Sequence, residues 1–153
     1  PLGYYGDPVK TAETFREFEG IRWSVPGDWA TIGADGMVTL LGRGSVSINT
    51  GGEKVYPEEV EEALKALPEV VDCNVVGVPD PQWGAAVTAV VELANGADPS
   101  DADLVDGPRA SLSGYKLPKN IVRVDSLFRS PNGKSDYKWA TRTALDALGL
   151  SEE

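Results

Sequence analysis

The sequence predicts a small α+β fold with a three-stranded central sheet, a hairpin and flanking helices, preceded by a short β-rich segment. Three observations lead there. Two largely apolar runs, residues 70–78 and 85–93, have the length and composition of strands covered on both faces. Short stretches with Gly and Pro punctuate the chain at intervals that suit strands and brief helices. Two acidic or polar stretches, after Pro57 and after Asp136, lack that punctuation and read as helices.

Over the first forty residues Gly20, Pro26-Gly27-Asp28 and Asp35-Gly36 separate short strands such as 37–41, a pattern that buries little surface by itself. From Gly42 the pattern becomes regular. A hairpin runs from Val46-Ser47-Ile48 to Lys54-Val55-Tyr56 around Asn49-Thr50-Gly51-Gly52. Pro57 then opens a helix to about Lys65, and Glu58, Glu59, Glu61 and Glu62 suit the positive end of its dipole. Pro79-Asp80-Pro81-Gln82-Trp83-Gly84 separates the two apolar strands, and a polar insert leads to a helix near 101–112. Residues 119–124 read as a further strand, 130–135 as an exposed loop and 136–148 as a terminal helix. The order β-β-α-β-β-α-β-α places a boundary near 42–45, dividing the chain into 1–43 and 44–153.

Composition narrows the function. With 24 acidic and 14 basic residues among 153, the net charge of -10 repels nucleic acid and anionic lipid, so neither is an expected partner. No stretch approaches the roughly 20 apolar residues of a membrane span, and the first residues have neither a basic region nor an apolar signal core. The lone cysteine, Cys73, lies inside an apolar run and reads as a small buried residue, which fits a reducing cytoplasm. The absence of histidine removes Ser/His/Asp triads, Cys/His dyads and His-ligated zinc. No metal ligand set is expected. A chain that starts at Pro1 reads as a piece of a larger one.

The chemistry-bearing signal is Ser130-Pro131-Asn132-Gly133-Lys134-Ser135, a lysine displayed on a Pro/Gly loop directly before a helix. Such a cation can meet a phosphate or carboxylate; taken alone, it reads more readily as a solvated loop lysine. Asn49-Thr50-Gly51-Gly52 taken alone is a turn that needs positive φ.

In order, the chain carries Gly42-Arg43-Gly44-Ser45, Gly51-Gly52-Glu53-Lys54-Val55, Gly77-Val78-Pro79-Asp80 with Trp83-Gly84, Tyr115-Lys116-Leu117-Pro118-Lys119, and the Lys134 loop. This succession resembles the adenylate-forming superfamily of acyl-CoA synthetases, peptide-synthetase adenylation domains and luciferases. It looks most like the bacterial fatty-acyl-CoA synthetases. The resemblance implies that 1–43 is the tail of an N-terminal adenylating domain, and 44–153 a mobile C-terminal domain with the catalytic lysine, Lys134. It implies that Asp28 and Arg43 bind nucleotide, that Ser45 is the hinge, where most relatives carry Asp or Lys, and that Gly51, Gly52, Glu53 and Lys54 form the coenzyme A loop. The implied reaction joins a fatty acid or related carboxylate to ATP, with Mg2+, as an acyl-adenylate, and then to coenzyme A. The chain by itself is expected to be inert and to depend on its own N-terminal domain. Two other readings stand beside this one: an adenylation domain that acylates a carrier protein, and a noncatalytic interaction domain.

Overall fold

The computed structural model describes residues 1–151, with Arg43 and Ser45 described through their backbones only. The chain forms two compact units, Pro1–Ser45 and Val46–Glu153.

The first unit opens with helix α1 (Pro8–Thr14), which the sequence reading did not anticipate. Asp7 caps it by accepting the Lys10 N–H, and Pro8 supplies a preset φ where no N–H is needed. Two antiparallel pairs follow, β1 (Phe15–Phe18) with β2 (Ile21–Ser24), and β3 (Asp28–Ile32) with β4 (Val38–Arg43). No residue from 1 to 40 is buried, and Phe18, Trp23, Trp29, Ile32 and Leu40 are all exposed.

The second unit begins with the hairpin of β5 (Ile48–Thr50) and β6 (Glu53–Val55). Its first strand begins two residues later than expected, because 44–46 form a 3-10 turn, and the ladder runs up to Thr50 and Glu53, so that Gly51 and Gly52 alone make the turn. Helix α2 (Pro57–Lys65) has the expected bounds, with Pro57 at its first turn and Lys65 in its last. The central sheet has the order β7-β8-β9 and comprises β7 (Val70–Asp80), β8 (Gly84–Leu93) and β9 (Asn120–Val124). β7 and β8 are antiparallel, whereas β9 joins β8 in parallel after the crossover through helix α3 (Asp101–Asp106). Strand β7 continues through Pro79 to Asp80, which an edge strand permits because the missing N–H need not face a partner. Helix α3 stops well short of 112. Pro108 lacks the N–H that would continue it, and residues 107–110 tighten into a 3-10 turn. Helix α4 (Tyr137–Leu148) ends on Gly149 at φ 66.

The sheet is covered on both faces. Cys73 and Val75 of β7 join Val87, Ala89 and Val91 of β8 against Val60 and Leu64 of α2 and Leu104 of α3. The alternate residues Val76, Val78, Ala86 and Val90 pack with Ala140, Ala144 and Leu145 of α4. Period-two alternation along β7 thus feeds two separate cores. This is the expected α+β arrangement, helices on each side of a three-stranded sheet.

Candidate functional site

Lys134 stands in the loop between β9 and α4. An isolated antiparallel bridge joins Arg129 to Ser135 and closes the intervening residues into a turn. Inside it the Gly133 N–H donates to the Ser130 carbonyl at 2.8 Å, and the Ser130 N–H to the Lys134 carbonyl at 3.0 Å. Asn132 Oδ1 accepts the Lys134 N–H at 3.2 Å. Gly133 takes φ 78, a conformation that favours glycine.

The Arg129 guanidinium fastens this turn to the sheet. Nε donates to Asp72 Oδ2 at 2.9 Å and Nη2 bonds the same oxygen, while Nη1 reaches the Gly133 carbonyl at 3.2 Å and Ser135 Oγ at 3.4 Å. The bond to Asp72 holds the guanidinium above its ordinary pKa. By contrast, the exposed Lys134 ammonium has no hydrogen bond or ion pair among the described residues. The backbone is held and the charge is left free.

Directly behind the loop, Asp136 caps α4 by accepting the Trp139 N–H at 3.0 Å. The Tyr137 hydroxyl donates to Glu61 Oε2 at 3.4 Å, and Glu61 Oε1 accepts the Val75 N–H at 2.9 Å. Glu61 is only 5% exposed, and burial pushes its carboxyl up to about 7, against the opposing effect of the Val75 N–H. Burial raises the Cys73 thiol and the Tyr137 phenol as well. Cys73 is thus the buried, unreactive thiol that its sequence context indicates.

At the hairpin tip Gly51 and Gly52 adopt φ 59 and 87. The Gly51 N–H donates to the Trp83 carbonyl at 2.8 Å, and a Cβ on Gly51 would lie 2.6 Å from Trp83 Cε3. Only glycine lets the hairpin approach the indole this closely. A cleft of about 270 Å³ opens beside it, lined by Gly51, Glu53, Trp83, Tyr115 and Lys119 among others. Lys119 Nζ lies 4.9 Å from the Trp83 ring centre and 3.5 Å from Asp80 Oδ2. Asp80 in turn accepts the Trp83 and Gln82 N–H groups, each at 2.9 Å, and the Trp83 bond leads in holding its carboxyl below the ordinary range.

In the first unit Asp28 stands opposite Arg43 in the β3–β4 register, and the Gly44 N–H donates to the Gly27 carbonyl at 3.3 Å. The side chains of Arg43 and Ser45 lie outside the described residues.

The candidate residues therefore fall into three groups. Asp28 and Arg43 are neighbours on one ladder. Gly51, Gly52, Glu53 and Lys54 share the hairpin tip, beside the turn that follows Asp80. Lys134 sits by Asp72, at the other end of β7. Asp72 and Asp80 are eight residues apart on that strand, or about 27 Å at ~3.4 Å per residue. The two loops thus lie toward opposite ends of β7, one tied to Asp72 and the other to the turn beyond Asp80.

The sequence reading gave no site role to Asp72 or Arg129, and took Glu61 only as one of the acids near the start of α2. Two of them leave a trace: Asp72 interrupts an apolar strand, and Glu61 falls on the buried stripe of α2 with Pro57, Val60 and Leu64. Among the described residues no group of three or more Cys, Asp or Glu side chains is placed to hold a metal ion. No helix among them is long and apolar enough to cross a membrane.

A sheet covered on both faces, with a lysine loop at one end and a glycine hairpin at the other, places the chain in a defined class. Residues 59–134 match the AMP-binding enzyme C-terminal domain, and that stretch of the chain belongs to the family. The medium/long-chain-fatty-acid–CoA/3-oxocholest-4-en-26-oate–CoA ligase of Mycobacterium tuberculosis (strain ATCC 25618 / H37Rv) is 58% identical over 92% of this chain and 26% of its own length. The 3-oxocholest-4-en-26-oate–CoA ligase of Rhodococcus rhodochrous is 58% identical over 92% of this chain and 25% of its own. Among solved structures, ATP-bound MatB from Rhodopseudomonas palustris superposes with a TM-score of 0.77 at 36% identity, covering 95% of this chain and 28% of that one. The chain spans about a quarter of the length of the curated relatives it matches.

Proposed function

We propose that this chain is the C-terminal part of an AMP-forming acyl-CoA ligase, in which Lys134 promotes formation of the acyl-adenylate. The observation that carries the reading is an exposed ammonium, without a partner among the described residues, on a turn whose backbone is held at Ser130, Gly133 and Lys134. A carboxylate and the α-phosphate of ATP repel each other as they react. A lysine placed between them offsets that repulsion, an effect of about 3 kcal/mol for one well-aimed donor, by analogy with oxyanion sites. Attack of the carboxylate oxygen on the α-phosphorus breaks the bond to pyrophosphate. The thiol of coenzyme A then attacks the acyl carbon and AMP leaves.

The separation of the two loops along β7 supports a division of labour in which Lys134 serves the first step, and Gly51, Gly52, Glu53 and Lys54 line the path of the thiol in the second. We assign ribose and phosphate contacts to Asp28 and Arg43, and the change between steps to rotation at Ser45, with residues 1–43 as the end of the N-terminal domain. Magnesium enters with ATP, as part of the substrate. Coenzyme A is the proposed acceptor, the carboxylate is a medium- or long-chain fatty acid or a steroid side-chain acid, and the location is cytoplasmic. The family membership and the names of the similar ligases support this substrate class.

The test is Lys134→Ala in the complete ligase, with the half-reactions assayed apart. Adenylate formation should fall by about 100-fold or more, while thioester formation from preformed acyl-adenylate should stay within about threefold. Equal survival of both half-reactions would remove Lys134 from the mechanism.

A further inference from the structure

We infer that Arg129 is a positioning residue for Lys134: anchored on Asp72 of β7, its guanidinium holds the Gly133 carbonyl on one side of that lysine and the Ser135 hydroxyl on the other. The inference rests on the reading of Lys134 given above.

The geometry is specific to a planar fork. Nε and Nη2 meet one carboxylate oxygen of Asp72, which leaves Nη1 to face the loop, where it meets the Gly133 carbonyl and the Ser135 hydroxyl. Those two groups flank Lys134 in the chain. A lysine side chain, with a single nitrogen on a flexible stem, can keep an ion pair with Asp72 but cannot span carboxylate, carbonyl and hydroxyl together. The anchor belongs to the sheet, because Asp72 lies within β7 opposite Glu92 of β8. Asp72 is mostly shielded, its side chain being 17% exposed, while the Arg129 side chain is 39% exposed, so solvent reaches the pair from the arginine side.

The rest of the turn depends on this hold. The Ser130 N–H and hydroxyl both reach the Lys134 carbonyl, at 3.0 and 2.9 Å, and the Asn132 side chain accepts the Lys134 N–H. These bonds stay within residues 130–134 and fix the turn's own shape. Among the described residues, of the bonds to residues 130–135 those from Arg129 alone come from a side chain that is also fastened to the sheet. Without it the turn loses its bearing on β7 and its internal bonds open more often, and a displacement of about 1 Å at a reacting group can cost 100-fold in rate.

The experiment compares Arg129→Gln, Arg129→Lys, Asp72→Asn and Lys134→Ala in the complete ligase. Arg129→Gln should lower kcat for adenylate formation by roughly 10- to 100-fold, with KM for ATP and thioester formation from preformed adenylate each within about threefold. Arg129→Lys should remain impaired even where its unfolding temperature matches the wild type, and the Arg129→Gln/Asp72→Asn double variant should be little worse than Arg129→Gln alone. Hydrogen exchange on the 153-residue chain gives a readout independent of activity: Arg129→Gln should speed exchange in 130–136 and leave β7 and β8 unchanged. Full rescue by lysine, equal loss of both half-reactions, or unchanged exchange in 130–136 overturns the inference. If Lys134→Ala leaves adenylate formation intact, the functional reading itself fails and takes this inference with it; if only Arg129→Gln is silent, the inference alone falls.

Discussion

Glu61 lies on the stripe of α2 that also buries Val60 and Leu64, and it reaches Tyr137 at the start of α4. Glu58 and Lys65 act on it along the helix, Tyr137 faces it from α4, and Cys73 and Val75 face it from β7. Its carboxyl is raised from an ordinary 4.5 to about 7, so the folded state prefers the neutral form. The stability tied to that preference is fully present below pH 4.5 and is lost as pH rises through about 7. The shift corresponds to about 3 kcal/mol at most. Glu61→Gln keeps an acceptor for the Val75 N–H and removes the charge. Thermal unfolding of both proteins from pH 5 to pH 8 should therefore show the wild type losing stability relative to the variant across that window. Parallel curves would mean that Glu61 ionises as readily in the folded protein as in the unfolded one.

The hairpin of β5 and β6 shows how an element can be set by one residue without a side chain. Gly51 has positive φ and leaves no room for a Cβ beside Trp83. Gly51→Ala should cost about 1–3 kcal/mol from the backbone alone, lower the unfolding temperature and displace the hairpin tip from the indole, which a change in Trp83 emission would report. An unchanged unfolding temperature and emission would mean that hairpin and indole move apart without cost. The same hairpin marks how far the sequence could be read. Its turn was legible because Gly51-Gly52 is a chemical signal, as were the bounds of α2 and α4, which Pro57, Asp136 and Gly149 mark. Helix α1 was not anticipated, since seven residues without a buried face leave no apolar period to find. The Lys134 loop was visible as a motif, but its fastening was not: Asp72 and Arg129 are 57 positions apart, and nothing in either segment announces the other.

On the scale of the whole molecule the two units differ in what they bury. Residues 46–151 enclose two cores around one sheet, while no residue in 1–40 is buried. Limited proteolysis of the 153-residue chain should therefore cut first within 1–45, and the 46–153 product should unfold at nearly the temperature of the uncut chain. Early cleavage within β7 or β8 would contradict this order. Strand β7 has a further consequence. The Lys134 turn is tied through Arg129 to Asp72 near the start of that strand and Gly51 to Trp83 in the turn beyond its end, and groups so far apart couple weakly in free energy. Inheritance can treat the two ends as separate: an altered glycine hairpin can be selected without retuning the lysine turn, and one sheet can carry many pairings of the two.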